Sequence, residues 1–156
     1  MNIRPAKTQD AEALSALISS SAHNFLIDSS GEGAERFLEG ITPQAILGHI
    51  TSSNFYYLIA EDGTNLAGAV ALRDGRHLFH LFVAPAYQRR GLARALWEAA
   101  KQGASKDLKI FTVNSSPNAV AVYKRFGFTT NGPRTEMNGI AFVPMEAAVT
   151  AGSSRH

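Results

Sequence analysis

The chain has 156 residues, of which 45% are hydrophobic and 18% charged, and its formal net charge is +2. This composition is typical of one globular domain and excludes a disordered chain. The small net charge also excludes the long positive track that a nucleic-acid duplex needs. The absence of cysteine excludes disulfides, thiolate zinc sites and cysteine nucleophiles. No segment has the length or position of a membrane span or a signal peptide, so we expect a soluble cytoplasmic protein with no membrane partner.

The first fifty residues predict one strand and two helical regions. Residues 2–6 are expected to form the strand, and Thr8 to be the N-cap of the first helix. The second helical region is split into a piece over 34–38 and a longer helix. Thr42 and Pro43 open that helix as a capping residue followed by proline at the first helical position.

The middle of the chain predicts three consecutive strands, over 55–61, 66–73 and 77–83. Apolar and β-branched residues dominate each run, and polar or glycine residues separate the runs. Asp74 and Gly75 form a two-residue turn that joins the last two strands as a hairpin.

The second half alternates helices with strands. Ser116 and Pro117 are a second pair of capping residue and first-position proline, and Gly127 ends a helix as a C′ glycine does. The elements expected in this half are a helix over 91–102, a strand over 109–113, a helix over 117–126, and strands over 128–130 and 139–146.

This order of elements predicts a mixed α/β domain of the α+β type. Its central sheet is expected to be mostly antiparallel, with about seven strands and four helices. We expect one domain over residues 1–148 and a flexible C-terminal tail over 149–156. The sequence leaves the oligomeric state open between a monomer and a homodimer.

The segment from Tyr87 to Arg94, Tyr-Gln-Arg-Arg-Gly-Leu-Ala-Arg, follows an apolar strand and leads into a helix. A helix start carries unpaired N–H groups and a partial positive charge, and glycine lets a ligand approach the backbone. Three arginines add full charges of the same sign. The segment therefore predicts a site for a phosphate or pyrophosphate group, although an ordinary basic turn would show the same pattern.

Gln88, Gly91 and Ala93 resemble the Gln/Arg-x-x-Gly-x-Gly/Ala signature of the GNAT superfamily of N-acetyltransferases. The order of elements also resembles the GNAT fold over residues 2–147, most strongly over 78–128. The resemblance implies that the fourth and fifth strands splay apart. It further implies an acetyl-CoA-dependent N-acetyltransferase, with acetyl-CoA as cosubstrate and no metal.

By the same resemblance, backbone N–H groups of the loop hold the cofactor's pyrophosphate, and the end of the fourth strand pairs with its pantetheine arm. The residues assigned to cofactor binding are Phe82, Val83, Gln88, Arg89, Arg90, Gly91, Leu92, Ala93, Arg94, Asn114, Ser116, Asn118 and Lys124.

Tyr123 belongs to a second motif, a helix ending in Tyr-x-x-x-Gly-Phe. It matches the tyrosine that the family commonly places near the thioester sulfur as the general acid, and a phenol neutral at pH 7 suits that role. The alternative is that it packs on the apolar side of its helix. Ser116 stands where many members carry a cofactor-binding asparagine, so Asn114 and Asn118 compete with it for that contact. Lys124 either reaches the cofactor's 3′-phosphate or is a solvated charge.

His80 is the candidate general base, because it occupies the part of the fourth strand where family members often carry a glutamate or aspartate. An imidazole titrates near neutrality and can accept an amine proton directly or through water. A structural core histidine and a water chain without a dedicated base are the alternatives. His77 and His49 are weaker candidates.

The acceptor is expected to be a primary amine of a small molecule, acetylated directly in a ternary complex. A protein or peptide amine and a non-catalytic acyl-CoA sensor are the alternatives, and a nucleic-acid partner is not expected. The resemblance places the acceptor site near residues 20–45 and 129–139. Phe25, Phe37 and Tyr56 either line it or belong to the core. Acids that would attract a cationic amine there are Asp28, Glu32, Glu35, Glu39 and Glu136.

Overall fold

A computed structural model describes residues 1–149, and these form a single sheet flanked by helices. The tail predicted over 149–156 lies outside the described residues except for Val149. The strands are β1 (Asn2–Pro5), β2 (Phe55–Asp62), β3 (Asn65–Arg73), β4 (His77–Val83), β5 (Ile110–Ser115), β6 (Thr129–Thr130), β7 (Thr135–Met137) and β8 (Ile140–Ala148). The helices are α1 (Ala11–Ser21), α2 (Glu35–Glu39), α3 (Pro43–Thr51), α4 (Leu92–Ala100) and α5 (Val120–Arg125).

The sheet has the strand order β1-β2-β3-β4-β5-β8-β6, and β7 pairs with β8. Every pairing is antiparallel except that of β4 with β5. That parallel pairing covers only His77 with Thr112 and Leu78 with Val113, although β4 continues to Val83. The predicted fold class and the splayed fourth and fifth strands are therefore confirmed.

Two hydrophobic clusters hold the layers together, one on each face of the sheet. Side chains alternate along β2, so Leu58 packs with α4 and α5, whereas Ile59 packs with α1 and α3. Trp97 and Phe128 are the large aromatic residues at the centre of the first cluster, with ring centroids 5.5 Å apart. The splayed strands thus lie in a sheet that is covered on both faces.

The helix starts differ in part from the prediction. Thr42 caps α3 as expected, because its hydroxyl accepts a hydrogen bond from the Ala45 N–H at 3.2 Å. Thr8 is not an N-cap, and a short 3-10 turn over Thr8–Asp10 precedes α1. There the Asp10 carboxylate accepts a hydrogen bond from the Lys7 N–H at 2.7 Å and takes the capping role.

Ser116 takes the predicted N-cap position before Pro117, but its hydroxyl donates to the Asn118 side chain at 2.9 Å and does not accept from the backbone. The helix expected over 117–126 therefore begins as a 3-10 turn, Pro117–Ala119, before α5. Gly127, with φ 98°, follows α5 as the predicted C′ residue.

Two turns differ from expectation as well. Arg73 pairs with His77, so the β3–β4 connection has three residues rather than two. Asn138 and Gly139, with φ 52° and 77°, form a tight hairpin turn between β7 and β8. The strand β7 was not predicted, although an Asn-Gly pair is a strong hairpin signal.

Candidate active site

The splay of β4 and β5 opens a cavity of about 290 Å³, here called the splay cavity. Beyond Leu78 the β5-facing edge of β4 has no strand partner within residues 1–149, which leaves room for an extended ligand to pair with it. At the end of this strand the Val83 carbonyl accepts a hydrogen bond from the Gln88 side chain at 3.1 Å. The residues assigned by sequence that line this cavity are Phe82, Val83, Gln88, Ala93, Asn114, Ser116, Asn118 and Tyr123. None of the residues lining it is charged.

The loop between β4 and α4 has the geometry that the sequence predicted for an anion site. Gly91 is the N-cap residue in the left-handed region at φ 78°, and Arg89 is also left-handed at φ 65°. The first helical hydrogen bond runs from the Ala95 N–H to the Gly91 carbonyl, so the preceding N–H groups have no backbone partner in the described chain. No atom lies within 4 Å of the point where a Cβ on Gly91 would stand, which leaves that side of the turn open.

The three arginines of this loop differ in whether their guanidinium groups already contact other residues of the protein. Arg94 donates to the Arg125 carbonyl at 2.9 Å and lies over the Phe126 ring at 5.0 Å, so its side chain joins α4 to α5. Arg90 lies over the Tyr87 ring, and Arg89 is exposed. The guanidinium groups of Arg89 and Arg90 therefore have no hydrogen-bond partner in the described chain, whereas that of Arg94 is engaged. Lys124 is exposed and does not line the splay cavity, and Leu92 is buried in the core.

Three side chains are candidates for the cofactor contact that many family members make through an asparagine: Asn114, Ser116 and Asn118. They differ in whether they already form hydrogen bonds within the protein. Ser116 donates to the Asn118 side-chain oxygen, and the Asn118 amide nitrogen donates to the Asn24 side chain at 3.0 Å. This chain of bonds ties α5 to the turn after α1 and occupies both groups. The Asn114 side chain is exposed at the cavity, and it takes part in no hydrogen bond among residues 1–149. Asn114 is thus the polar side chain free to meet a ligand.

Tyr123 is 8% exposed and packs against Phe126 and Phe128, with ring centroids 6.2 and 5.7 Å away. Burial raises the pKa of its phenol, so the group stays protonated over the physiological range. The residue lines the splay cavity, and its hydroxyl has no hydrogen-bond partner in the described chain. The packing alternative and the functional one are therefore both present in one side chain: the ring packs, and the hydroxyl is available.

A second cavity of about 280 Å³, here called the helix cavity, lies between β4 and α2. It shares five lining residues with the splay cavity, so the two spaces meet beside β4. These shared residues are Phe25, Leu78, Phe79, Phe82 and Asn114. The two cavities are therefore adjacent.

His80 lines the helix cavity and is buried, with its Nδ1 2.9 Å from the Tyr57 hydroxyl. Burial, and secondarily the nearby His49, lowers the pKa of His80 to about 3. His77 is also in the wall, and burial with the charges of Arg73 and Arg76 lowers its pKa to about 4. Both imidazoles are therefore neutral at pH 7.

The acids expected to attract a cationic amine lie elsewhere: none of the five lines the helix cavity. Phe25 and Phe37 do line it, whereas Tyr56 faces a different surface depression. Of the segment 129–139 no residue contributes, and β8 supplies Ile140 instead. The charged side chains that do line it, Arg36 and Arg73, were not singled out from the sequence.

The model of the family described as "Acetyltransferase (GNAT) domain" matches residues 25–149. An uncharacterised N-acetyltransferase of Bacillus subtilis, YhfO, is 28% identical over 141 residues, covering 82% of this chain and 89% of its own. The chain therefore belongs to the GNAT acetyltransferases, which makes it an acetyl-CoA-dependent N-acetyltransferase.

Solved structures show the same fold. A GCN5-related N-acetyltransferase from Rhodopseudomonas palustris aligns with a TM-score of 0.77 at 21% identity, over 95% of both chains. The PaiA N-acetyltransferase from Thermoplasma acidophilum, solved in complex with coenzyme A, aligns with a TM-score of 0.73 at 20% identity, over 95% of this chain and 98% of its own. Within residues 1–149 no helix is long and apolar enough to cross a bilayer.

Proposed function

We propose that the protein transfers the acetyl group of acetyl-CoA directly to a primary amine of a small molecule, with the donor in the splay cavity and the acceptor in the helix cavity. The observation that carries the proposal is that the two cavities meet at the unpaired edge of β4. In the reaction a C–N bond forms, the thioester C–S bond breaks, one proton leaves the amine and one ends on sulfur.

Donor binding is assigned to three features of this chain. The free N–H groups before Ala95, with the exposed Arg89 and Arg90, suit a pyrophosphate. The unpaired edge at Phe82 and Val83 suits an extended arm that carries amide groups. The neutral polar wall, with the free amide of Asn114, suits the uncharged thioester end.

Tyr123 is proposed to donate a hydrogen bond, and then a proton, to the leaving sulfur. Its raised pKa keeps the phenol protonated, and its hydroxyl has no competing partner in the described chain. This is the role in which a positioned phenol contributes as a general acid.

His80 is proposed as a relay for the amine proton rather than a strong base, because a pKa of about 3 makes it a weak acceptor. If Nδ1 donates to Tyr57, the lone pair on Nε2 remains to accept a proton and pass it to water. The apolar wall and the two arginines of the helix cavity lower the pKa of a bound ammonium, so part of the deprotonation is done by the environment.

A small molecule is favoured because seven segments of the fold wall the helix cavity: α1, the turn after it, α2, β3, β4, β5 and β8. A cavity of about 280 Å³ matches a small ligand better than an extended peptide. With no cysteine in the chain, a thioester intermediate on the enzyme is ruled out and direct transfer is the simpler course.

The test is calorimetric titration of acetyl-CoA and of CoA into the protein and into Gly91→Pro. A proline at residue 91 cannot adopt φ 78°, so the loop must change shape. We expect micromolar binding to the wild type and its loss in the variant, with thiol release when a panel of small amines is added. Binding without thiol release from small amines or amine-bearing peptides would favour the sensor, and absence of binding would overturn the proposal.

A further inference from the structure

The helix cavity is lined by two arginines and by no acidic residue, whereas a cationic acceptor would be attracted by acidic residues. We propose that the acceptor amine also carries a carboxylate on an apolar body about the size of an aromatic ring, with Arg36 and Arg73 binding the carboxylate. This inference rests on the proposed assignment of the helix cavity to the acceptor. It follows from which side chains the fold brings to that wall.

Arg36 and Arg73 are the only residues with a formal charge among those lining the cavity. They come from α2 and from the end of β3, elements that converge on the space from different directions. Two guanidinium groups on one wall suit a carboxylate, whose two oxygens can accept paired N–H bonds.

Both guanidinium groups are available to a ligand. Arg36 forms no ion pair within residues 1–149. Arg73 has only the exposed Asp74 carboxylate at 3.9 Å, which is too long for a hydrogen bond. The Arg73 guanidinium is also held 5.4 Å over the Phe79 ring, and Phe79 lines both cavities. Its position is thus set by an aromatic contact that leaves its N–H groups free.

The acids of the same region do not line the cavity. On α2, Arg36 and Gly40 lie one helical turn apart and both line the space, and Glu35 and Glu39 do not. The Glu35 carboxylate accepts from the Gly33 N–H at 2.8 Å. Glu39 is three residues from Arg36 and neighbours it on the helix surface, but no ion pair joins the two within residues 1–149. The residues that line the cavity therefore include no carboxylate to offset the two arginines.

The charge of Arg73 also acts on the neighbouring histidines. After burial, it is a further cause of the lowered pKa of His77, which lines the cavity, and of His49, which does not. Positive charge that disfavours a proton on imidazole also disfavours a polyamine and favours an anionic group.

The rest of the wall is apolar. Five of the other lining residues are Ile18, Phe25, Phe37, Ile41 and Ile140. Burial of an aromatic or branched apolar group there removes its surface from water and stabilises the complex. An amine with only polar or charged substituents would leave this wall unused.

The experiment compares matched ligands on the CoA-loaded protein by calorimetry, and matched amines by thiol release from acetyl-CoA. The ligands are 3-phenylpropionate, 2-phenylethylamine, L-phenylalanine and 1,4-diaminobutane. The variants are Arg36→Glu and Arg73→Glu. Arg76→Glu is the control, because Arg76 is exposed, lies three residues from Arg73, and does not line the cavity.

We expect 3-phenylpropionate to bind and the diamine not to bind. The kcat/KM of L-phenylalanine should exceed that of 2-phenylethylamine by roughly tenfold or more, the factor that one charge-assisted contact supplies. Each cavity variant should reduce that ratio through KM, and the Arg76 variant should not.

Equal or better use of 2-phenylethylamine or the diamine by a protein that binds acetyl-CoA would overturn the inference and leave the proposed function standing. So would an equal loss in the Arg76 variant, since the effect would then be one of overall charge. Failure to bind acetyl-CoA would instead remove the proposed function, and the inference with it.

Discussion

The two cavities that meet beside β4 are built in opposite ways. Most of the splay cavity comes from one stretch of chain, residues 78–123, and its wall combines apolar side chains with uncharged polar ones. The helix cavity collects residues from position 18 to position 140, and its wall combines apolar side chains with two arginines. The splay cavity is thus lined mainly by one continuous stretch of chain, whereas the helix cavity is assembled from distant segments.

Tyr123→Phe should produce the largest effect and act on the splay cavity alone. Removing the hydroxyl leaves the ring packing against Phe126 and Phe128, so acetyl-CoA affinity and stability should hold. We expect kcat to fall by about 100-fold or more, the range for loss of a general acid. Steady-state kinetics beside calorimetry would check this, and an unchanged kcat would remove Tyr123 from the mechanism.

Gly139→Ala should act on the helix cavity alone. Gly139 has φ 77°, and a Cβ there would overlap the backbone of Gly33 in the segment that leads into α2. We expect a loss of about 2 kcal/mol in the free energy of unfolding, a higher acceptor KM, and an unchanged acetyl-CoA Kd.

Gly63→Ala is the matched control, because Gly63 has φ 62° but no neighbour within 4 Å of the added Cβ. It should cost about 1 kcal/mol and leave the acceptor KM unchanged. Equal effects of the two substitutions would show that the Gly33–Gly139 contact does not position the acceptor wall.

Acidification should lower the stability of the protein through two histidines that line the helix cavity. His80 and His77 are neutral in the folded protein, with pKa values of about 3 and 4, but take up protons near pH 6.5 when unfolded. The unfolded state then binds more protons, so stability present above pH 6.5 is lost as the pH falls toward the folded pKa values.

Between pH 7 and pH 5 we expect the free energy of unfolding to drop by about 2 kcal/mol from His80, with a smaller drop from the less buried His77. Urea unfolding at the two pH values measures it. His80→Gln should remove the larger part of that drop, and a wild-type stability that does not change would contradict the assigned burial.

The smallest expected effect distinguishes two neighbouring asparagines. Asn118→Ala breaks the hydrogen bonds to Ser116 and Asn24, so it should lower the free energy of unfolding by about 1 kcal/mol. Asn114→Ala breaks none within residues 1–149, so it should keep stability and raise the KM of acetyl-CoA and acceptor, since Asn114 lines both cavities. The opposite pattern would reassign the ligand contact to Asn118.

Much of the fold could be read from residue patterns of short range. Thr42-Pro43 and Gly127 marked a helix start and a helix end, and the three-strand run of β2 to β4 appeared at nearly the observed bounds. The prediction for Thr8 was wrong, and Ser116 holds its predicted N-cap position without a capping hydrogen bond from its side chain. A capping residue type does not reveal which hydrogen bonds a neighbouring side chain, Asp10 or Asn118, takes up.

The sequence by itself determined the local geometry beside the splay cavity. Gly91 at a helix start, and Tyr123 four residues before a C′ glycine, are local arrangements whose geometry follows from nearest neighbours along the chain. Only the tertiary structure decided which side chains line the helix cavity. The orientation of α2 in the fold places Arg36 in the wall of the helix cavity and Glu35 outside it. Burial, a property of the whole fold, keeps His80 neutral.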